Sequence, residues 1–511
     1  VWLVSFMQGK KQYQEKLFTN FQLSDHVPED NFYRRLKAML PLQWIYKATQ
    51  KYYGTEGQQS IDPVVFFKLI LVGYFENLCS DRRIIQTSQL RLDILFFIGY
   101  DIDEQLPWHS TLSRTRQLYG EEVFKELFKK VLGLCIDKGM VAGKRQAIDS
   151  VAVQANASME SLQKKEILND ADVYAKELET QENSMEGSEE KSLTASTKET
   201  AESKNTYGNS NAWQKSISNN IVSSTTDKDA RVSVKPGKAR RLNYLAQVSV
   251  DTACHVITQI KSDYANKKDS QCLPSILSNT IENLEEYGLN VEEVLADGNY
   301  SSGEALRALE QYNIVGYIPN FGQYKPLRQG FEYKTSEDCY ICTAGKLLEF
   351  KGVKENRGNG LMRQYRSNPK DCAACSFKEE CIGSGAFKTI AVTSDKELFE
   401  KMNRLMQTPE AVKMKKLRSS TVEPVLGTLV NFLGMRRVNT KGISLANKCM
   451  TMAAIAYNLK KVLKFSIQNE LIKCKATRHY IDVLADSIID KFIGLLFSNK
   501  YNRKQNHLTF F

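Results

Sequence analysis

The sequence predicts an α/β fold with a mixed sheet, interrupted by insertions and preceded by an all-helical N-terminal domain. Three observations carry this. Residues 1–140 show helical periods alone; β-branched runs alternate with helical periods over 141–320; and composition breaks twice, at an acidic polar tract and at a cysteine-bearing block. With 511 residues, 42% hydrophobic and 25% charged, the chain can hold several domains and bury a substantial core.

In the first domain, residues 1–140, Val64, Phe66, Phe67, Leu69, Ile70 and Leu71 begin an apolar helical face, and Pro63 fits its first turn. Ser80 and Asp81 supply a cap before Arg82 and Arg83. Ser110 offers a second cap, before a helix presenting Arg114 and Arg116. Capped short helices bearing arginines suit a helix-turn-helix that docks on DNA, with Arg114 and Arg116 touching it. A plain bundle with solvated arginines fits the same pattern.

A strand over Arg145–Gln154 centres on Asp149, with Ile148, Val151 and Val153 around it. From Ala155 to Lys204 there are twelve Asp/Glu against six Lys/Arg and few large apolar residues, so 155–222 reads as a disordered acidic insertion. Order resumes with strands at Tyr244–Asp251 and His255–Lys261 and a helix at Leu273–Tyr287 ended by Gly288. A strand at Val291–Ala296 then runs into Asp297. Ser301 and Ser302 cap a helix from Glu304 to Tyr312, and Ile314–Ile318 forms another strand. That order of elements is RNase H-like. It sets Asp149 beside Asp297, with a helix bearing Glu423 across both. Residues 141–320 are thus the first part of the core, 321–415 an insertion, 416–466 the second part with a basic Glu-bearing helix, and 467–511 a C-terminal helical tail.

The insertion holds Cys339-x2-Cys342, then 29 residues, Cys372-x2-Cys375 and, after five more, Cys381. Paired thiolates at this spacing form the knuckles of a structural zinc site, although five cysteines compete for four places and reduced, buried thiols are the alternative.

The formal charge of +11 favours a polyanionic partner. Between Ala411 and Lys464 eleven Lys/Arg surround one acidic residue, Glu423, a setting that draws phosphate together with a metal ion. Asp149, Asp297 and Glu423, 148 and 126 residues apart, are the candidate catalytic triad and the ligands of two Mg²⁺ or Mn²⁺ ions. Without metal such a buried cluster repels itself, so its carboxyls should titrate high. Asp227, Asp229 and Asp251 are rival ligands. Pro424 directly after Glu423 disfavours helical geometry there, which predicts that Glu423 starts or kinks its helix.

At these residues the chain resembles bacterial DDE-type insertion-sequence transposases, in the subgroup with a helical N-terminal domain and a cysteine-containing insertion in the catalytic domain. The resemblance rests on LVGYFENLCSDRRI, LPWHSTLSRTRQ, AIDSVAVQANAS, STTDKDAR, QVSVDTACHVI, DYANKKDSQ, LADGNYSS, the cysteine block, RSSTVEPVLGTL, LGMRRVNTKG and IAYNLKK, in order from about Asp62 to Lys461. It implies metal-binding roles for Asp149, Asp297 and Glu423, and contacts to the transposon end for Arg418, Arg436 and Arg437. Related chains often place a lysine seven residues after the glutamate. Here that position is Val430, which shifts end binding towards Arg436, Arg437 and Lys441.

The implied activity is DNA cleavage at terminal inverted repeats followed by strand transfer, a Mg-dependent endonuclease and strand transferase acting on element ends and target as a homodimer in a synaptic complex. A non-catalytic DNA-binding regulator derived from a transposase, or a nuclease without strand transfer, are the alternatives. The five histidines are scattered and there is no HExxH, GxSxG or phosphate-binding glycine loop. The Met450–Tyr457 run is far shorter than a membrane span and Val1–Phe6 too short for a signal peptide. Met7 fits a translation start. No membrane association and a cytoplasmic, nucleoid-associated location in a bacterium are expected.

Overall fold

The computed structural model describes residues 21–54, 56, 60–165, 218–233, 240–320, 330–355 and 361–467. The expected C-terminal tail and most of the acidic insertion lie outside them. The chain forms two compact units, residues 1–73 with 80–119 and residues 74–79 with 120–511.

The first unit is helical: α1 (Leu23–His26), α2 (Phe32–Met39), α3 (Trp44–Thr49), α4 (Pro63–Phe75), α5 (Asp81–Gln89), α6 (Leu92–Ile98) and α7 (His109–Leu118). Helix α4 is apolar around nearly its whole circumference and is buried accordingly. Pro63 opens it as expected, and the Asp62 carboxylate accepts from Val64 N and Val65 N at 2.7 and 3.1 Å. The ring of Tyr119 stacks on Phe67 and meets Phe66 edge-on, closing that core. Two expected caps differ. Ser80 does sit at the cap position of α5 but makes no side-chain cap bond. Ser110 lies inside α7, which starts one residue earlier behind Trp108.

The second unit begins with α8 (Glu121–Asp137) and contains a six-stranded sheet built from β1 (Arg145–Gln154), β4 (Arg231–Ser233), β5 (Arg241–Asp251), β6 (Ile257–Tyr264), β7 (Glu293–Leu295) and β8 (Val315–Tyr317). Strand β1 is central. It pairs antiparallel with β5 and parallel with β7; β6 lies antiparallel beyond β5 and β8 parallel beyond β7. Three antiparallel strands followed by two parallel ones in this order make the RNase H-like layer.

Helices α9 (Asp269–Glu285) and α10 (Gly303–Gln311) cover one face through Leu273, Ile276, Leu306 and Leu309, packed with Ile148 and Val294. Helix α9 starts at Asp269, four residues before the sequence expectation, because Pro274 is accommodated inside it. The turn between β5 and β6 holds His255 at φ 57, so β6 begins two residues later than expected. Short strands β2 (Leu162–Lys164) and β3 (Val222–Ser224) pair where the acidic insertion leaves and rejoins the core, so its two ends are tied rather than free.

A second sheet, the antiparallel meander β9 (Phe331–Lys334), β10 (Cys339–Cys342), β11 (Leu347–Glu355), β12 (Leu361–Ser367) and β13 (Thr389–Thr393), carries the cysteines. Between β12 and β13 lie α11 (Pro369–Ala373) and α12 (Lys378–Cys381). The core of this sheet is Tyr340, Leu348, Tyr365 and Ile390. The chain then returns through α13 (Lys396–Met406) to α14 (Pro409–Phe432), which packs on β1 and β5, and to a helix described over 443–467. None of the described helices is long and apolar enough to cross a membrane.

Candidate active site

Strand geometry fixes the first two carboxylates. Ala147 on β1 pairs with Leu295 on the parallel strand β7. Two residues further on, Asp149 stands within β1 and Asp297 just past the end of β7, close enough for the charge of Asp297 to act on Asp149. Asp297 leaves the strand as the cap of a short turn: its carboxylate accepts from Asn299 N at 3.0 Å and Asn299 Nδ2 at 3.1 Å.

The third carboxylate comes from α14. Glu423 lies well inside this unbroken helix, so the sequence expectation of a helix start or kink at Pro424 is corrected. Proline removes one hydrogen bond, to the carbonyl of Ser420, and Ser420, Glu423 and Pro424 all face solvent, where water can take it. On the opposite side of the helix Val422, Val425 and Leu429 are fully buried and hold the backbone helical.

Arg418, one turn before Glu423, connects the set. Its Nη1 donates to Asp149 Oδ2 at 2.9 Å and its Nη2 to Glu423 Oε1 at 3.4 Å. The guanidinium is 14% exposed, Asp149 19% and Glu423 60%, so the site is open on the Glu423 side. Burial pushes the Asp149 carboxyl above its ordinary range; Ser150 N and Arg418 oppose this, and Asp297 adds to it. Burial likewise raises Asp297, with Asp269 adding and Arg418 opposing. Among the described residues, no three His, Cys, Asp or Glu side chains stand at metal-holding distance.

Behind Asp149 lies a network to which the sequence reading gave no role. Ser150, the next residue on β1, faces the other side of the sheet and donates to Asp269 Oδ1 at 2.7 Å. Gln247, paired with Ser150 across the sheet, donates to the same oxygen at 3.2 Å and accepts from the buried Tyr300 hydroxyl at 2.6 Å. The turn after Asp297 is therefore bolted to β5 and to the first residue of α9. The signal was present in the motifs AIDS, DSQ and GNYSS, but hydrogen-bond partners so far apart in sequence are not readable from them.

The rival carboxylates have structural employment. Asp251 accepts from Gly143 N, Gln146 Nε2 and Ala253 N at 2.8–3.0 Å. Asp227 accepts from the Tyr244 hydroxyl and from Gly442 N, and Asp229 from Ile443 N.

The basic residues divide. Arg436, Arg437 and Lys441 are exposed on the turn after α14. That turn docks on the end of β1: Gln154 N donates to Arg436 O at 3.2 Å, Val438 N to Gln154 O at 3.0 Å, and Arg437 Nη2 to Asn156 Oδ1 at 2.9 Å. In the helical unit Arg114 is exposed, whereas Arg116 is 5% exposed and makes a two-pronged bond to Asp81, joining α7 to α5. Arg116 is thus not presented at the surface as the sequence reading had it.

Cys342, Cys372, Cys375 and Cys381 are partly exposed and Cys339 is buried; all five are free thiols.

Two family profiles match the chain: "Transposase domain (DUF772)" over residues 21–118 and "Transposase DDE domain" over residues 341–463. The second spans Cys342 to Cys381, Arg418, Glu423 and the basic turn, and leaves out Cys339, Asp149 and Asp297. No curated protein matches the chain. Among solved structures, a piggyBac transposase synaptic complex with hairpin DNA aligns over 85% of this chain and 73% of its own, at 10% identity and a TM-score of 0.31, a level that speaks to neither chemistry nor partners. A transposase domain on the helices and a transposase DDE domain over residues 341–463 together support an insertion-sequence type of DDE transposase.

Proposed function

We propose that this transposase cuts DNA at the terminal inverted repeats of its element and joins the freed 3′ ends to target DNA, with Asp149, Asp297 and Glu423 as the catalytic carboxylates. What supports this reading is the parallel β1–β7 pairing that leads into Asp149 and Asp297, together with Arg418, which bonds both Asp149 and Glu423 from the helix that carries Glu423.

The donor set fits a divalent cation: three carboxylates are hard oxygen ligands of the kind Mg²⁺ and Mn²⁺ take, and Arg418 now supplies the positive charge among them. Bound in pairs, such ions lower the pKa of an attacking water or 3′-hydroxyl and neutralise the leaving oxygen. The protein's own part is placement. Asp149 is fixed by its strand, and Asp297 by its capped turn and the Tyr300–Gln247 bond. Glu423 is the exposed member, tethered through Arg418. Arg436, Arg437 and Lys441 meet the phosphates of the element end, joined by Arg114 of the helical unit, and Arg418 adds to them once the carboxylates release it. Two chains bring two ends together on the nucleoid.

The test is a band shift and a strand-cleavage assay on one labelled duplex carrying the repeats that flank the reading frame, with and without Mg²⁺ or Mn²⁺. Asp149→Asn keeps the shape but loses the charge, so cleavage should vanish while binding stays within a few-fold. A wild-type protein that binds this duplex and never cuts it with either metal would instead be a DNA-binding regulator, and one that cuts without joining a nuclease.

A further inference from the structure

We propose that Cys342, Cys372, Cys375 and Cys381 hold one structural zinc ion at a corner of the meander sheet, and that Cys339 takes no part. The proposal is independent of the carboxylate site.

The sheet itself makes the selection. Along β10 side chains alternate, so Tyr340 and Cys342 share one face and Cys339 and Ile341 the other. The face of Cys342 is the one with the core: Tyr340, Leu348, Tyr365 and Ile390 lie on it, and Cys342 packs against them. Cys339, on the far face, is 4% exposed.

The remaining cysteines gather where Cys342 is. Tyr340 pairs with Leu348 and Leu348 with Ser367, so one row of side chains crosses three strands on the core face. Cys342 stands one step beyond this row on β10; on β12 the chain one step beyond Ser367 enters α11, which carries Cys372. Ser367 Oγ lies 3.0 Å from Cys372 Sγ, which puts that sulfur on the same face. From the other direction Lys346, in the turn after Cys342, reaches Asp371 at 3.9 Å.

Cys375 follows within one tight turn, its N–H donating to Cys372 O at 3.4 Å. Cys381 is drawn to the same corner by Lys388, whose Nζ donates to Cys381 O at 2.7 Å and whose backbone N donates to Ser367 Oγ at 2.8 Å. On β10 the knuckle is already folded: Gly345, at φ 71, donates to Cys342 O at 2.8 Å while Cys342 N donates to Lys346 O at 2.9 Å.

The sulfurs do not stand at ligating distance in this structure, so the inference rests on where the backbone and these bonds place the four residues. Their chemistry suits the ion. Four thiols that each give up a proton become the closed tetrahedral set of a structural zinc site, leaving no position for a substrate. The sheet also has reason to need one, since four buried side chains are a small core for five strands.

The full chain, purified with reductant and stripped with chelator, is titrated with Zn²⁺ and, in a parallel sample, with Co²⁺. The expected result is one tightly bound Zn²⁺ per chain and the visible absorption of tetrahedral Co²⁺–thiolate. Cys342→Ser and Cys375→Ser should each weaken zinc binding by more than about 100-fold, beyond what loss of an outer-shell partner does. Cys339→Ser and Asp149→Asn should bind as wild type. If a serine variant misfolds by circular dichroism, the wild-type Co²⁺ spectrum still decides. Octahedral cobalt without thiolate bands, no tight zinc in the wild type, or zinc lost in Cys339→Ser and kept in Cys342→Ser would each overturn the assignment.

Discussion

Arg418 Nη1 lies 2.9 Å from Asp149 Oδ2, so the most buried carboxylate of the site is closed by a cation from the same helix that carries Glu423. In the absence of metal Arg418 is held by two of the three carboxylates that the proposed function assigns to a metal ion. Arg418→Ala should lower stability in chelator by about 1.5–3 kcal/mol, the range for a lost hydrogen bond to a charged group. With that cation gone, Mn²⁺ should bind more tightly and raise the melting temperature more than in wild type. Thermal melts with and without Mn²⁺ measure both; equal shifts in the two proteins would contradict competition for the same carboxylates.

Arg436 and Arg437 sit on a turn fastened to β1. Arg436→Ala with Arg437→Ala should weaken binding to an element-end duplex and flatten its dependence on log salt by up to ~2 units, one for each phosphate no longer neutralised. Band shifts across a salt series give the slope. An unchanged slope means that neither arginine touches the backbone.

Asp227 is 3% exposed and accepts from the Tyr244 hydroxyl at 2.7 Å and from Gly442 N at 3.1 Å, next to Lys441. Asp227→Asn replaces an acceptor oxygen by a donor in a place built of donors. Loss of about 1–3 kcal/mol in chemical denaturation is expected, with a parallel loss of end binding as the Lys441 turn loosens. Tyr244→Phe should reproduce the first effect in milder form. If Asp227→Asn is as stable as wild type, the carboxylate is not anchored as described.

Lys68 lies in the otherwise apolar α4, with its ammonium 5.4 Å from the centre of the Phe97 ring. Burial, with help from the Lys37 charge and against that of Asp62, pushes its pKa down to about 8. Below that pH the lysine is charged in both folded and unfolded chains, and folding bears the cost of burying the charge. Between about 8 and the ordinary 10.5 the folded chain has released a proton that the unfolded chain keeps, so stability rises with pH. Lys68→Met should therefore melt higher than wild type at pH 7, by an amount that shrinks as pH climbs through this window. A difference independent of pH would show that Lys68 titrates normally.

The core of this fold could be read before it was seen because its signals are local. Asp149 is ringed by β-branched residues, and Asp297 ends a short apolar run before glycine; strand register then does the rest. Glu423 was read correctly as to helix and wrongly as to position in it. The rule about residues preceding proline is a local preference, and burial of Val422, Val425 and Leu429 outweighs it. Arg116 escaped for a related reason: whether an arginine faces water or an aspartate 35 positions away depends on packing of α5 against α7, which periodicity does not encode. The choice among five cysteines was likewise closed to spacing alone, because Cys339 and Cys342 fall on opposite faces of β10.

The docking of Arg437 against Gln154 joins the turn bearing Arg436 and Arg437 to the strand of Asp149, five residues from that aspartate. An extended strand covers about 16 Å in that distance, close to five phosphate steps along one DNA strand. Two backbone hydrogen bonds hold the turn to the end of β1, so under the proposed function the span would act as a fixed gauge. A duplex held at the turn and broken at the aspartate would have its cut set by counting from the point of grip, with no need to read the bases at the cut itself.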